Sequence, residues 1–162
     1  MQLRKVFSVL LIFACLLSFS QSAFADNSEG EEASIEVQSI GSNRENPIEI
    51  QNLYYSTGGL LISEDDEKWY KWTNDTGSPK LLYSDMYPDF GQTSLSLSAI
   101  LQYNETVESN FIYANKDEDR SIFNNLYIPN GTTVYLRIKM EDSTPPYSYY
   151  RLHFLILNGP SQ

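Results

Sequence analysis

The sequence has few of the residues on which most enzyme chemistry depends. Its 162 residues include one cysteine, Cys15, and one histidine, His153. A nucleophilic triad needs a histidine beside a serine or cysteine, and a histidine-based zinc site needs further histidine or thiolate ligands. We interpret His153 as a surface residue of the last strand, on its more polar face. The motif GxGxxG and the phosphate-binding loop are both absent, so a nucleotide cofactor has no anchor.

Positive charge is also scarce. Eleven lysines and arginines face 21 acidic residues, and the formal net charge is −10. This balance argues against a nucleic-acid partner, whose phosphates are bound by lysine and arginine, and against an anionic membrane surface. Beyond the N-terminus, no apolar run approaches the roughly 20 residues that span a bilayer, so we expect no membrane insertion. The net charge favours solubility, and we expect a monomer.

The N-terminal residues 1–25 have the three parts of a secretory signal peptide. A positively charged start precedes the apolar residues 6–19, and Ala23 and Ala25 supply the small residues of a cleavage site. We predict cleavage before Asp26 and a secreted, extracellular protein.

Cys15 offers an alternative, because "IFAC" is similar to the cleavage box of a bacterial lipoprotein. Phe13 is bulky for that box, and Leu16 and Leu17 keep the run apolar beyond the cysteine. We therefore assign Cys15 to the signal peptide, whose removal leaves no cysteine. A secreted domain without disulfides depends on its apolar core, which is typical of bacterial exoproteins.

The remaining chain divides by composition into a leader and one domain. Residues 26–46 are acidic and poor in large apolar groups, so they cannot bury enough surface to offset the entropy of ordering. From Pro47 the sequence is rich in tyrosine, leucine and isoleucine, and we place a single domain at residues 47–159.

The periodicity of this domain is two, which predicts half-buried strands. In "TTVYLRIKM" the apolar residues Val134, Leu136, Ile138 and Met140 share one face. The segments "LSLSAILQY" and "SYYRLHFLIL" alternate in the same way, with serines or charged residues on the other face. Turn residues separate the runs, and no segment has the pattern of a capped amphipathic helix. We predict an all-β, antiparallel, jelly-roll-like β-sandwich of about eight strands.

The acidic residues concentrate where turns are expected, above all in residues 64–67, 117–119 and 141–142. A glycosidase needs one carboxyl group in a protected pocket, whereas acids on hairpin tips stay hydrated. Calcium is the alternative for such turns, because it binds several oxygen ligands from a flexible loop. The spacing matches no EF-hand, and the most economical interpretation is a set of solvated turns.

Aromatic residues are abundant, with 12 tyrosines and two tryptophans. In "KWYKW" period two places Tyr70 and Trp72 on one face, so that if these two are in the core Trp69 is exposed. Tyr147 and Tyr149 form a second candidate surface after two prolines. Exposed aromatic side chains favour recognition of sugars or proteins, and Trp69, Tyr147 and Tyr149 are our candidate ligand-binding residues.

Several short motifs resemble one family. The resemblance covers residues 47–157. In the first half its motifs are "NPI" at 46–48 and Gly59, which is followed by an apolar run, an acidic turn and the pair Tyr70-x-Trp72. In the second half they are "PNGTTVYLRI" at 129–138 and "SYYRL" at 148–152. The chain resembles the bacterial pre-peptidase C-terminal domain, which includes the collagen-binding modules of clostridial collagenases.

The resemblance implies a jelly-roll-like β-sandwich without catalysis of its own. Some members bind calcium where the leader meets the sandwich, and the matching positions here are Glu45, Asn46 and Asp65. Lys68 occupies a position where the family usually has an aspartate, so a cation stands where a ligand belongs. We therefore expect no cofactor, with calcium at those three residues as the alternative.

Three functions follow from these features. The leading hypothesis is a secreted, non-catalytic binding or accessory module that contacts an extracellular protein or polysaccharide through exposed aromatics. The alternatives are a small secreted hydrolase with paired carboxylates and an acidic inhibitor or partner of a co-secreted protease. In the last case residues 117–119 would engage a basic surface, which salt would weaken.

Overall fold

The computed structural model describes residues 39–89, 95–117, 119–141 and 147–160. These residues belong to one compact unit, Val37–Gln162. The expected signal peptide and residues 26–38 of the expected leader lie outside the described residues. The described part contains ten strands and no helix that is long and apolar enough to cross a membrane.

Seven of the described strands have seven to eleven residues, and the other three have two or three. Their bounds are β1 Ile48–Glu49, β2 Tyr54–Leu61, β3 Glu67–Thr73, β4 Lys80–Pro88, β5 Leu95–Gln102, β6 Ile112–Tyr113, β7 Asn115–Asp117, β8 Arg120–Ile128, β9 Thr133–Met140 and β10 Ser148–Asn158.

The strands form two five-stranded sheets. The first sheet has the order β1-β3-β9-β5-β6, and the second has the order β2-β10-β4-β8-β7. All neighbours pair antiparallel except β1 and β3, which are parallel. The predicted all-β sandwich is confirmed. It has ten strands instead of about eight, because β1, β6 and β7 are too short to show a periodic pattern.

The core lies between the sheets and contains one face of each long strand. The face of β9 predicted to be apolar is buried at Val134, Leu136, Ile138 and Met140. On β10 the buried face consists of Tyr150, Leu152, Phe154 and Ile156. Tyr70 and Trp72 are also buried, which confirms their predicted place in the core. A single dry interior therefore holds the two sheets together.

Strand β5 departs from the predicted alternation, since both of its faces are buried. Ser96 and Ser98 were expected on a polar outer face, yet they are 8% and 0% exposed. The segment after β5 pairs along the edge of β5, with the Ser109 amide donating to the Leu101 carbonyl at 2.8 Å and the Ala114 amide to the Leu97 carbonyl at 3.0 Å. On the outer face, Nε of Arg137 donates to the Ser98 hydroxyl at 3.3 Å, and Phe111 of this segment covers the Arg137 guanidinium at 4.0 Å. Strand periodicity cannot predict this cover, because it depends on the path of a later loop.

The first described residues already pair with the first sheet. The Trp69 amide donates to the Gly41 carbonyl at 2.8 Å, and the Gly41 amide donates to the Asn46 carbonyl at 2.6 Å. Gly41 has a φ of 83°, which glycine adopts readily. The divisions at residues 1–25, 26–46 and 47–159 stay predictions.

Candidate functional site

The exposure expected for Trp69 is wrong, because its side chain is only 5% exposed. Trp69 does lie on the outer face of the first sheet, opposite Tyr70 and Trp72. There Phe111 covers it with ring centroids 6.3 Å apart, and the Arg137 guanidinium lies 5.8 Å from its ring centroid. The loop that carries Phe111 removes this indole from water, so Trp69 offers no binding surface.

Tyr147 and Tyr149 are exposed, as predicted, with 53% and 45% of their surface in water. Their rings meet edge to face at 6.1 Å. Tyr149 lies on the outer face of the second sheet, opposite the exposed Leu60 of β2. We call Leu60, Tyr147 and Tyr149 the tyrosine patch. Its role in binding stays a prediction.

A depression of about 270 Å³ adjoins the tyrosine patch and is lined by Tyr87, Pro88, Asp89, Arg151 and His153. The Asp89 amide donates to the Tyr149 carbonyl at 2.8 Å, which joins the two regions. Arg151 donates to both carboxylate oxygens of Asp89, from Nε at 3.0 Å and from Nη2. These hydrogen bonds lower the pKa of Asp89 and raise that of Arg151.

Beneath the depression lies Asp85, which is only 4% exposed although it points to the outer face of β4. Its Oδ2 accepts hydrogen bonds from the Tyr83 and Tyr87 hydroxyls at 3.0 and 3.2 Å. Its Oδ1 lies 2.9 Å from Nδ1 of His153, and Arg120 approaches Oδ2 at 3.7 Å. One carboxylate thus gathers two tyrosines, a histidine and an arginine, which we call the Asp85 cluster.

Two members of the Asp85 cluster, Tyr83 and Arg120, have raised pKa values. Partial burial, together with the hydrogen bond to Asp85, raises the pKa of Tyr83. The hydrogen bond from Arg120 to the Tyr87 hydroxyl, 3.0 Å long, raises the pKa of Arg120. The rings of Tyr87 and His153 meet at 5.9 Å, so the cluster fixes the two aromatic walls of the depression.

The Asp85 cluster was not predicted from the sequence. His153 was expected on the more polar face of its strand, and that is where it lies, but its contact with a buried carboxylate was not foreseen. A signal existed in "YSDMY", because period two places Tyr83, Asp85 and Tyr87 on one face of a strand. The partners on β8 and β10 could be identified only from the strand register.

The candidate calcium ligands lie in different settings. Asp65 lines an open cavity of about 530 Å³ beside the first sheet, together with Glu64, Lys139 and Glu141. Glu45 is exposed, and the Asn46 amide donates to the Asn43 side chain at 2.9 Å. Within the described residues, no group of three or more His, Cys, Asp or Glu side chains is arranged to hold a metal ion. A calcium site at Glu45, Asn46 and Asp65 stays a prediction.

The acidic turns are largely exposed, although Asp66 and Glu67 are half-buried. Glu64, Asp65, Asp117 and Asp119 all face solvent, and Glu141 forms an ion pair with Lys116 at 2.6 Å. Glu118 and Asp142 lie outside the described residues. The prediction of a hairpin tip at residues 64–67 is wrong, because β2 and β3 lie in different sheets and do not pair. Residues 62–66 connect the two sheets, and Glu67 is the first residue of β3.

The comparisons with known proteins found structural likeness alone. No family model matches the chain, and no curated protein matches its sequence. The chain is similar to the pre-peptidase C-terminal domain of collagenase from Bacillus anthracis, with 16% identity, 68% of this chain and 93% of that chain covered, and a TM-score of 0.49. It is also similar to the Yersinia pseudotuberculosis-derived mitogen, with 14% identity, 67% and 88% covered, and a TM-score of 0.45. The first of these is a domain of the family that the sequence motifs resemble.

Proposed function

We propose that this chain is a secreted, non-enzymatic binding or accessory module that contacts an extracellular protein or polysaccharide through exposed aromatic side chains. The observation that carries the proposal is the tyrosine patch beside the depression of Asp89, Arg151 and His153 on the outer face of the second sheet.

The chemistry of this surface suits recognition. Tyrosine supplies a large, rigid contact area at a low cost in side-chain entropy, and its hydroxyl adds a hydrogen bond. Tyr147 and Tyr149 restrict one another by ring contact. Arg151 is held by Asp89, and His153 by Asp85, so the polar groups at the rim are already oriented before a ligand arrives.

Secretion is supported by the composition of residues 1–25, with their charged start, apolar run and small residues before Asp26. An extracellular location also suits a domain whose predicted mature part has no cysteine to be oxidised. N-terminal sequencing of the protein recovered from the culture medium tests this part. We expect Asp26 as the first residue, and a chain that keeps Met1 would contradict it.

Binding is tested by a pull-down against extracellular matrix proteins and by a glycan array, both with the full chain. The variant Tyr149→Ser removes the centre of the tyrosine patch. The matched control Tyr103→Ser removes a tyrosine of similar exposure, 43%, from a loop beside the first sheet. We expect a ligand in one of the two screens, bound about tenfold or more weakly by Tyr149→Ser, since aromatic anchors dominate binding energy. Failure of both screens to return a ligand contradicts the proposal.

A further inference from the structure

The four edge strands of the two sheets differ sharply in how they are protected. Edge strands β1 and β6 are two residues long, and β7 has three residues that include Lys116 and Asp117. Shortness and charge are the usual means by which proteins block pairing at a sheet edge. Strand β2 has neither, since its eight residues, "YYSTGGLL", contain no charge and no proline.

The backbone of β2 presents hydrogen-bonding groups away from the sheet. The Ile156 amide donates to the Leu53 carbonyl, so the backbone N–H and C=O groups of the even-numbered residues of β10 point toward β2. The Asp89 amide donates to the Tyr149 carbonyl, so odd-numbered residues of β10 face β4. In the register of β2 with β10, the even-numbered residues of β10 lie opposite Tyr55, Thr57 and Gly59. The backbone N–H and C=O groups of these three residues therefore point toward β10. Backbone groups alternate sides along a strand.

The other residues of β2 therefore point their amides and carbonyls outward. They are Tyr54, Ser56, Gly58 and Leu60, and their side chains are exposed as well. Within the described part of the chain, β2 has β10 as its one ladder neighbour, and no backbone hydrogen bond outside the ladders involves these four residues. The Gly58 carbonyl accepts a hydrogen bond from the Thr57 hydroxyl at 3.3 Å.

Such a row of alternating donors and acceptors is matched by another extended strand. We propose that β2 pairs antiparallel with β2 of a second copy of this chain, with the two-fold axis at Thr57. In this register Tyr54 lies opposite the partner's Leu60, and Ser56 lies opposite the partner's Gly58. All four outward-facing residues then meet an outward-facing residue of the partner. The proposal departs from the monomer expected from the sequence.

The side chains of β2 suit pairing with a copy of itself. No charge opposes a charge anywhere along the strand, and Thr57 lies opposite the partner's Thr57. Tyr55 lies opposite the partner's Gly59, which has no side chain to oppose the ring across the pair. Antiparallel pairing also separates the two acidic turns, because Glu64 lies seven residues from the axis. The ends of the two β2 strands at Leu61, from which the acidic turns begin, would be roughly 27 Å apart, beyond the distance at which salt screens charges.

Pairing of this kind keeps the outer faces of the two second sheets on one side. Opposed residues of neighbouring strands share a face, and Tyr149 lies opposite Leu60 within each copy. The dimer would present two tyrosine patches on one continuous sheet. Two linked sites raise the apparent affinity for a repetitive ligand without any new contact.

Sedimentation equilibrium of the mature chain, residues 26–162, between about 1 µM and 1 mM tests the proposal over the range of weak specific association. We expect the mass to double as the concentration rises. The variant Thr57→Lys should remain monomeric, because it places two lysines opposite each other at the axis. The matched control Ser56→Lys adds the same charge on the outer face, opposite a glycine, and should still dimerise. A mass that stays monomeric throughout, or a dimer that survives Thr57→Lys, overturns the proposal.

Two further variants separate pairing from folding. Ser56→Pro removes an outward-facing amide that β10 does not use, so the sandwich should fold while the dimer is lost. Ser56→Ala keeps the amide and should behave like the wild type. Folding of each variant is checked by the fluorescence of the buried Trp69 and Trp72.

Amide exchange followed by NMR provides a readout independent of mass. In dilute solution the amides of Tyr55, Thr57 and Gly59 should be protected by β10, and those of Ser56, Gly58 and Leu60 should exchange quickly. At high concentration the second group should gain protection that Thr57→Lys abolishes. Rapid exchange of Ser56, Gly58 and Leu60 at every concentration would overturn the proposal.

Discussion

The polar residues that the sandwich buries determine what its surfaces can do. Asp85 accepts hydrogen bonds from side chains of its own strand and from His153 of β10, so it orients a whole region of the outer face. Inside the core, the Tyr70 and Tyr150 hydroxyls bond to each other at 2.8 Å and join the two sheets. Each of these groups would be costly to bury without its partners.

The variant Asp85→Asn tests the Asp85 cluster. An amide keeps the shape of the carboxylate but replaces one acceptor oxygen with a donor, which leaves a tyrosine hydroxyl or His153 without its acceptor. We expect the free energy of unfolding to fall by about 1–3 kcal/mol in urea titrations. The exposed Asp75→Asn is the matched control and should change it by less than about 0.5 kcal/mol. Equal effects of the two changes would refute the structural role of Asp85.

The Tyr70–Tyr150 pair predicts a loss of stability at alkaline pH. Burial, more than any other cause, raises the pKa of both phenols above the ordinary value of 10.0. Above that value the unfolded chain loses protons that the folded chain retains, so the free energy of unfolding falls as the pH rises. Urea titrations between about pH 9 and 12 should show this decline. The decline of the free energy of unfolding with pH should be shallower in the double variant Tyr70→Phe/Tyr150→Phe. An equal slope in the two proteins would show that the buried tyrosine pair does not cause the decline.

At the scale of the elements, β2 and β10 fit together because Gly59 leaves room for a core tyrosine. A Cβ atom at Gly59 would lie 2.3 Å from the Tyr150 hydroxyl oxygen, whereas one at Gly58 would lie 3.3 Å from the Tyr150 carbonyl oxygen. The missing side chain at Gly59 thus admits the ring that bonds to Tyr70.

These distances predict different effects of two neighbouring alanine substitutions. Gly59→Ala should lower the free energy of unfolding by about 1–3 kcal/mol, because the Tyr150 ring must move in a packed core. Gly58→Ala should cost less, since the contact is looser and alanine restricts the unfolded chain. Thermal unfolding of both variants measures the difference. A Gly58→Ala variant less stable than Gly59→Ala would show that the packing around Tyr150 is described incorrectly.

The long strands β9 and β10 could be predicted from the sequence because one face of each is apolar, as in Val134 to Met140 of β9. The cover over Trp69 could not be predicted, since it depends on Phe111 in a loop whose path no local pattern determines. The two-residue strand β1 could not be predicted from the sequence for a different reason. It is held by parallel pairing with Tyr70 and Lys71, not by any periodicity of its own.

At the scale of the whole molecule, the candidate site is assembled from strands far apart in the chain. Leu60 comes from β2, Asp89 follows β4, and Tyr149 and Arg151 come from β10. The aromatic cluster at Tyr147 and Tyr149 could be picked out by composition. Its neighbours Asp89 and Leu60 could not, because only the antiparallel register of β10 with β4 and β2 places them beside it.

The distribution of charge also distinguishes the acidic turns from the tyrosine patch. Acidic residues occupy exposed turns, as Glu64 and Asp65 do, while Arg151 near the tyrosine patch is paired with Asp89. A surface of aromatic rings with paired charges loses little solvation energy when a ligand covers it. The outer face of the second sheet is therefore better suited to binding than the acidic rims.

The most direct test of the account is the dissociation constant of the ligand that the matrix-protein or glycan screen returns. We predict that the double variant Tyr147→Ser/Tyr149→Ser weakens binding by about 30-fold or more, as expected for the loss of two aromatic anchors. The matched double variant Tyr103→Ser/Tyr113→Ser removes two exposed tyrosines elsewhere and should leave the dissociation constant unchanged. A dissociation constant unaffected by the first double variant, or weakened equally by the second, would contradict the account.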